Sequence, residues 1–247
     1  MNELRQLMAS SLWPLPEKYP NEDKVCVLLT TGGLNPIHKG HVHMMSRAKE
    51  GLETRGWTVW CGFMSPSHDL YLDYKQNRGR LGDLDVVSAT HRIAMAELAL
   101  QDHPWLQVGR WESVQHGYWP DYPEVIESLL LRVQQVDPKM VVFYVCGSDH
   151  ARNCEYGFGH DRMGLVVVPR VGDVIPGVSI GELVRYLEPD QSPEAFYSST
   201  KVRSVFQQMD ETCTQQLQST LDIGVLEYIR RHRLFVDLEK LNESRTH

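Results

Sequence analysis

Ten residues, Gly32-Gly33-Leu34-Asn35-Pro36-Ile37-His38-Lys39-Gly40-His41, concentrate groups suited to handling an anion. Adjacent glycines let the backbone approach a ligand with no Cβ in the way. His38 and His41 stand three residues apart, so on a first helical turn they share a side, and both imidazoles can donate to phosphate oxygens. Gly40 between them leaves space over the helix start. A second cluster, Tyr197-Ser198-Ser199-Thr200-Lys201-Val202-Arg203, sets hydroxyls and N–H groups at another helix start, with Lys201 and Arg203 one turn inside. Each cluster has a plainer reading. The second is also an ordinary Ser/Thr cap, and His38, His41 and His43 could instead propose zinc, although no carboxylate or thiolate at ligand spacing accompanies them. Together, two anion cradles in one domain suit a triphosphate.

The surrounding pattern supplies the elements that would hold these groups. Val25 to Leu29 is a continuous apolar run, the mark of a strand buried on both faces, and it ends in Thr30-Thr31-Gly32-Gly33. A helix fits Lys39 to Arg55, with Val42, Met45, Ala48 and Leu52 at helical spacing and Gly56 closing it. Trp57 to Met64 is a second strand, so strand, glycine turn, helix and strand form a parallel βαβ unit. The polar stretch from Ser65 to Val87 is too long for a tight connection and reads as a lid. Further expectations are a helix over Ser88 to Asp102, with Ile93, Ala96 and Leu100 on its inner face, and a strand over Trp105 to Gly109. A helix over Tyr122 to Val136 is followed by strands over Met140 to Cys146 and Gly164 to Val168, then by helices over Ser198 to Met209 and Leu221 to His232. The result is an α/β domain: a Rossmann-like, doubly wound, mainly parallel sheet with helices on both faces, spanning 24–236 as one domain. Residues 1–23, broken by Pro14, Pro16 and Pro20, form a peripheral arm, and 237–247 a tail. Ligands of such sheets bind beyond the carboxyl ends of the strands, which directs attention to the residues after Leu29, Met64 and Cys146.

Composition narrows the classes. The 247 residues carry 25 Lys and Arg against 32 Asp and Glu, a formal charge of −7, which argues against bulk binding of nucleic acid or anionic lipid. No run reaches the length of a membrane span and no secretory leader is evident. The five cysteines, Cys26, Cys61, Cys146, Cys154 and Cys213, are odd in number and form no C-x-x-C pair, which fits a reducing, intracellular setting, cytoplasmic or nuclear. One sequence leaves the oligomeric state open, a homo-oligomer included.

The first motif resembles the G-x-x-N-P-x-H-x-G-H signature of the nucleotidyltransferase superfamily that includes adenylyl- and cytidylyltransferases. Ser198 to Arg203 resembles its S-S-T-x-x-R partner. Gly62 to Pro66 with Asp69 and Tyr71, then His91 to Ala99, then Trp111 to Gln115, are similar to nicotinamide mononucleotide adenylyltransferases of the eukaryotic type. Cys146 to Asp149, Gly164 to Arg170 and Leu226 to Ile229 continue that order. The resemblance implies transfer of AMP from ATP to the 5′-phosphate of nicotinamide or nicotinate mononucleotide, with release of pyrophosphate. It implies that His41 and His38 hold the α- and β-phosphate oxygens, and that Ser199, Thr200 and Arg203 hold the β- and γ-phosphates. Gly32, Gly33 and Asn35 would lie along ATP, Gly147 and Asp149 would contact the nucleotide sugars, and Mg²⁺ would bridge phosphates largely through water. Ser65, Lys75, Trp111 and Glu112 would face the mononucleotide.

The chain also departs from that pattern. Leu72-Asp73-Tyr74 stands where a lysine-rich stretch is usual, leaving Lys75 as the nearest cation, with Arg78 and Arg80 beyond it. The segment from Gly147 to Gly164 is short and lacks the tryptophan that stacks on the pyridine ring, so Tyr156 or Phe158 would stack instead, or the acceptor differs. Two alternatives therefore stand beside the first reading: a related transferase using CTP or another phosphorylated acceptor, and a non-catalytic nucleotide-binding homologue.

Overall fold

A computed structural model describes residues 11–154, 158–159, 162–174, 182–208 and 214–236. Tyr156, Cys213 and the tail at 237–247 lie outside the described residues, as does the side chain of Cys154. Among the described residues six strands form one wholly parallel sheet: β1 Val25–Gly32, β2 Thr58–Pro66, β3 Leu106–Val108, β4 Val141–Cys146, β5 Met163–Val167 and β6 Val184–Tyr186. Their order is β3-β2-β1-β4-β5-β6. Order reverses between β1 and β4, and that is where a doubly wound sheet opens a crevice at its carboxyl edge.

Alternation along the central strands divides the interior into two apolar layers. Cys26, Leu28, Phe143 and Val145 face one; Val27, Leu29, Val142 and Tyr144 face the other. The first layer is closed by α1 (Lys39–Glu53), α3 (Ala89–Ala99), α6 (Ser199–Gln208), α7 (Thr214–Thr220) and α8 (Ile223–His232). Val42, Met45, Ala48 and Leu52 are the buried stripe of α1, as their spacing predicts. The second layer is closed by α4 (Tyr122–Val133), whose Asp121 cap accepts from the Tyr122 N–H at 2.8 Å.

The departures have physical reasons. Ser65 to Val87 contains a helix, α2 (Asp69–Asn77), and a 3₁₀ turn at Asp83–Asp85, where a lid was expected. Only Leu72 of α2 is buried, so there is no apolar stripe to reveal it. Local bonds define it: His68 accepts from the Leu70 N–H, Asp69 occupies the first turn and Lys75 the last. The inner face of α3 is Ala89, Arg92, Met95, Ala96 and Ala99, whereas Ile93 is only partly buried. Arg92 turns inward because its guanidinium meets Val87 O at 2.9 Å, Gly33 O at 3.0 Å and Asp69 Oδ1 at 2.7 Å. The short α5 (Ser148–Cys154), α7 and β6 escaped the pattern altogether; the described part of α7 buries one apolar side chain, Leu217, and Thr220.

The arm is not peripheral at Trp13, which is 1% exposed, meets Phe63 edge-on at 5.2 Å and donates to Ser128 Oγ at 3.2 Å. Gly109 admits it, because a Cβ there would enter the indole ring. Tyr19 donates to Asp137 Oδ2 at 2.5 Å, and Trp60 Nε1 to Lys18 O at 2.7 Å. Cys26, Cys61 and Cys146 are buried free thiols, with burial driving Cys26 and Cys61 far above the usual thiol range. No helix among the described residues is long and apolar enough to cross a membrane. Truncating Trp13 to Ala is expected to cost about 3–5 kcal/mol, read as a lowered urea midpoint at unchanged slope. An unchanged midpoint would show that the arm does not contribute to the core.

Candidate active site

β1 ends in the turn Gly32 to Ile37, in which Leu34 takes a left-handed φ of 44° and the Asn35–Pro36 bond is cis. Two arginines fix this turn from outside. Arg92 binds the Gly33 carbonyl, and Arg203 Nη1 binds the Asn35 carbonyl at 2.8 Å. Asn35 is buried and donates through Nδ2 to Asp85 O at 2.5 Å. Ser199 Oγ reaches Pro36 O at 2.8 Å. The two sequence motifs are therefore bonded to one another before any ligand arrives.

His38 caps α1, and its backbone N–H donates to His41 Nδ1 at 3.1 Å. The imidazoles stack with centroids 3.7 Å apart. Because Nδ1 of His41 is an acceptor, its proton sits on Nε2, which makes that atom a donor. Burial, with a further contribution from Arg170, pushes His41 down to about 4 and His38 down to about 2, so both are neutral at pH 7. Gly40 does not leave open space. A Cβ there would collide with the Glu194 carbonyl and stand 3.0 Å from the His38 ring, so the glycine lets the ring and the 3₁₀ turn Pro193–Phe196 close over the helix start.

Two cavities meet at this helix start. The larger, about 550 Å³, runs from His38 and His41 past Gly147, Asp149 and Arg170 to Ser199 and Thr200 at the start of α6. The smaller, about 350 Å³, is bounded by Gly32, His41, Lys75, Glu112, Trp119 and His150, among others, and shares Gly147 and Asp149 with the first. A third recess holds Gly33, Asn35, His41, Lys75, Thr200 and Arg203. His41 lines all three, and Lys75 the last two.

Several expected residues have different neighbours from those the motifs imply. Arg203 is 5% exposed and already paired: Nε lies 2.8 Å from Asp85 Oδ1, and Nη2 stands 3.4 Å from Thr200 Oγ1. Burial pushes the Asp85 carboxyl up, but the Gly82 N–H, Arg203 and Gln207 outweigh it and hold it below the usual range. Ser65 is fully buried and donates to Glu112 Oε2 at 2.9 Å. Burial lifts Glu112 to about 7, against the pull of Ser65, Ser67 and Arg92. Trp111 packs partly buried on the second apolar layer; Trp119 is the indole on the smaller cavity. Phe158 is buried, stacked on Tyr144 at 5.8 Å. His43 turns to the buried Asp190, 2.7 Å from Oδ2, instead of joining His38 and His41 around a metal. Arg170, Trp119, Tyr122 and His150 were missed by sequence reasoning. Arg170 closes the segment already matched from Gly164, which was the only signal available.

The family model described as cytidylyltransferase-like matches residues 29–205. A nicotinamide/nicotinic acid mononucleotide adenylyltransferase of Arabidopsis thaliana is 26% identical over 233 residues, 88% of this chain and 93% of its own length. Its namesake numbered 2 from Danio rerio is 39% identical over 102 residues, covering 41% of this chain and 30% of that protein. In fold, the chain is similar to a Plasmodium falciparum nicotinic acid mononucleotide adenylyltransferase complexed with APC, at a TM-score of 0.57 and 12% identity over 85% of this chain and 96% of that one.

Holding His38 and His41 neutral makes the fold sensitive to acid. A histidine held neutral stabilises the fold fully above its unfolded value near 6.5, and that stability is lost as pH falls toward the folded value, about 4 for His41. Glu112 acts in the opposite sense, its burial weakening the fold as pH rises through about 7. The His41→Asn variant isolates the first effect. Its stability relative to the parent is expected to improve progressively from pH 6.5 to 4.5 in urea titrations, and a pH-independent difference would contradict the assignment.

Proposed function

Because the chain belongs to the cytidylyltransferase-like family, we propose that it is an adenylyltransferase. It moves AMP from ATP to the 5′-phosphate of nicotinamide or nicotinate mononucleotide, giving the dinucleotide and pyrophosphate. The observation that carries this reading is the place of His41, whose imidazole lines both cavities where they join. One cavity has hydroxyls and a helix start for a polyphosphate; the other has aromatic rings and Lys75 for a phosphorylated ring compound. The name of the Arabidopsis relative, which spans nearly the same length, supports the choice of acceptor.

An oxygen of the acceptor phosphate attacks the α-phosphorus of ATP in line, a new P–O bond forms, and the bond from the α-phosphorus to the bridging oxygen breaks as pyrophosphate leaves. The attacking oxygen is already ionised at neutral pH, so no protein nucleophile or strong base is required. The chain contributes position and charge. His41 Nε2–H donates to the α-phosphate region without carrying fixed charge. The start of α1 and that of α6, with Thr200, face the anion with their free N–H groups and positive dipole ends. Lys75, on the wall between the smaller cavity and the recess of Arg203, is set to neutralise the phosphates that approach each other.

ATP enters as its Mg²⁺ complex. Phosphate oxygens and water satisfy the octahedral preference of Mg²⁺. The ion is thus carried in with the substrate.

With ATP and Mg²⁺, purified protein is expected to form dinucleotide and pyrophosphate from a pyridine mononucleotide. His41→Ala is expected to lower kcat about 100- to 1000-fold while the folded far-ultraviolet circular dichroism is retained. ATP binding without product from either mononucleotide would reject the reading, and pyrophosphate release with another acceptor or with CTP would redirect it.

A further inference from the structure

The smaller cavity has an aromatic wall that the motifs do not account for. Tyr122 and Tyr144 stack at 5.5 Å, and Tyr144 is backed by Phe158 in nearly parallel planes. The Tyr144 hydroxyl lies 2.8 Å from Thr31 Oγ1 at the end of β1, which fixes this panel to the sheet. Trp119, which lines the same cavity, leans on Tyr71 at 6.2 Å and on Tyr74 at 5.2 Å. Lys75 Nζ sits over the Tyr71 ring and Arg78 over the Tyr74 ring, so α2 and its cations brace the indole from one side. Trp119 nevertheless remains 37% exposed while lining the cavity.

His150 completes the enclosure. It meets Tyr122 and Tyr144 edge-on at 5.3 Å and 5.7 Å, and its Nε2 is buried without a hydrogen-bond partner. Such an atom is costly to leave unmatched; it is closed to solvent in this structure, so a ligand group satisfies it once the imidazole turns toward the cavity. Burial holds the ring below its usual pKa despite Asp149 and Asp121, so at neutral pH it offers a neutral N–H or a lone pair.

We propose that Trp119 and His150 determine acceptor recognition, Trp119 covering a face of the acceptor's pyridine ring and His150 Nε2 hydrogen-bonding the ring's carbonyl-bearing substituent. This rests on the reading of the acceptor given above. An N-alkylated pyridinium is flat and cationic, and electron-rich indole and phenol faces attract such a ring. A neutral imidazole can donate to a carboxamide oxygen and to a carboxylate alike, so the pair serves both forms of the mononucleotide. Trp111 is packed partly buried on the second apolar layer and does not line this cavity.

Steady-state kinetics with nicotinamide and nicotinate mononucleotide test this. Trp119→Ala is expected to raise the KM for both by about tenfold or more, with the KM for ATP unchanged, and Trp119→Phe to restore most of the loss. His150→Leu is expected to raise the acceptor KM, and His150→Gln to recover part of it. An unchanged acceptor KM in Trp119→Ala, or an equal rise in the KM for ATP, overturns the assignment while the adenylyltransferase reading survives. A wild-type protein that makes no dinucleotide from either mononucleotide overturns both.

Discussion

Two buried guanidiniums, Arg92 and Arg203, hold the turn after β1 by its carbonyls, and the geometry of the whole site depends on that grip. Arg92 comes from α3 and Arg203 from α6, so elements far apart in sequence converge on residues 33 to 35. Each guanidinium is also matched by a carboxylate, Asp69 for one and Asp85 for the other. Arginine suits the task because its planar fork reaches several acceptors at once and stays charged when desolvated. Lysine at either place would leave carbonyls unmatched. The turn then presents α1 at a fixed angle, with His38 and His41 stacked over its start.

The net charge of −7 says little about such a site. In the proposed reading the anion meets two helix starts and a few side chains, and the two imidazoles at the start of α1 are held neutral. A polyphosphate therefore meets hydrogen-bond donors in an enclosed space before it meets many full charges. Donors of this kind gain strength as water is excluded, because the local dielectric falls.

Much of this was legible in the residues. The apolar runs and the stripe of α1 announce the parallel sheet, and the strand–glycine–helix order locates the crevice between β1 and β4. What sequence could not show is which polar groups also tie the scaffold together while lining a cavity. Arg203 and Ser199 look like free phosphate ligands in the motif, yet in three dimensions one is tied to Asp85 and Asn35 and the other to Pro36. Trp111 and Trp119 are equivalent to a pattern of residue types, and only packing separates the one lying on an apolar layer from the one lining a cavity. The α2 helix was hidden because hydrogen bonds, with a single buried leucine, define it.

The anchoring of Trp13 also bears on how the chain is made. Its partners are Phe63, Gly109 and Ser128, and Tyr19 next to it waits for Asp137. Trp13 is made before these partners, and the surface it docks on exists only after β2 and α4 have emerged and packed. Trp13 is thus among the last of the buried side chains to settle. An indole made before its partners closes the second layer only once they have packed, so residues 13–19 act as a late clasp on an already formed sheet.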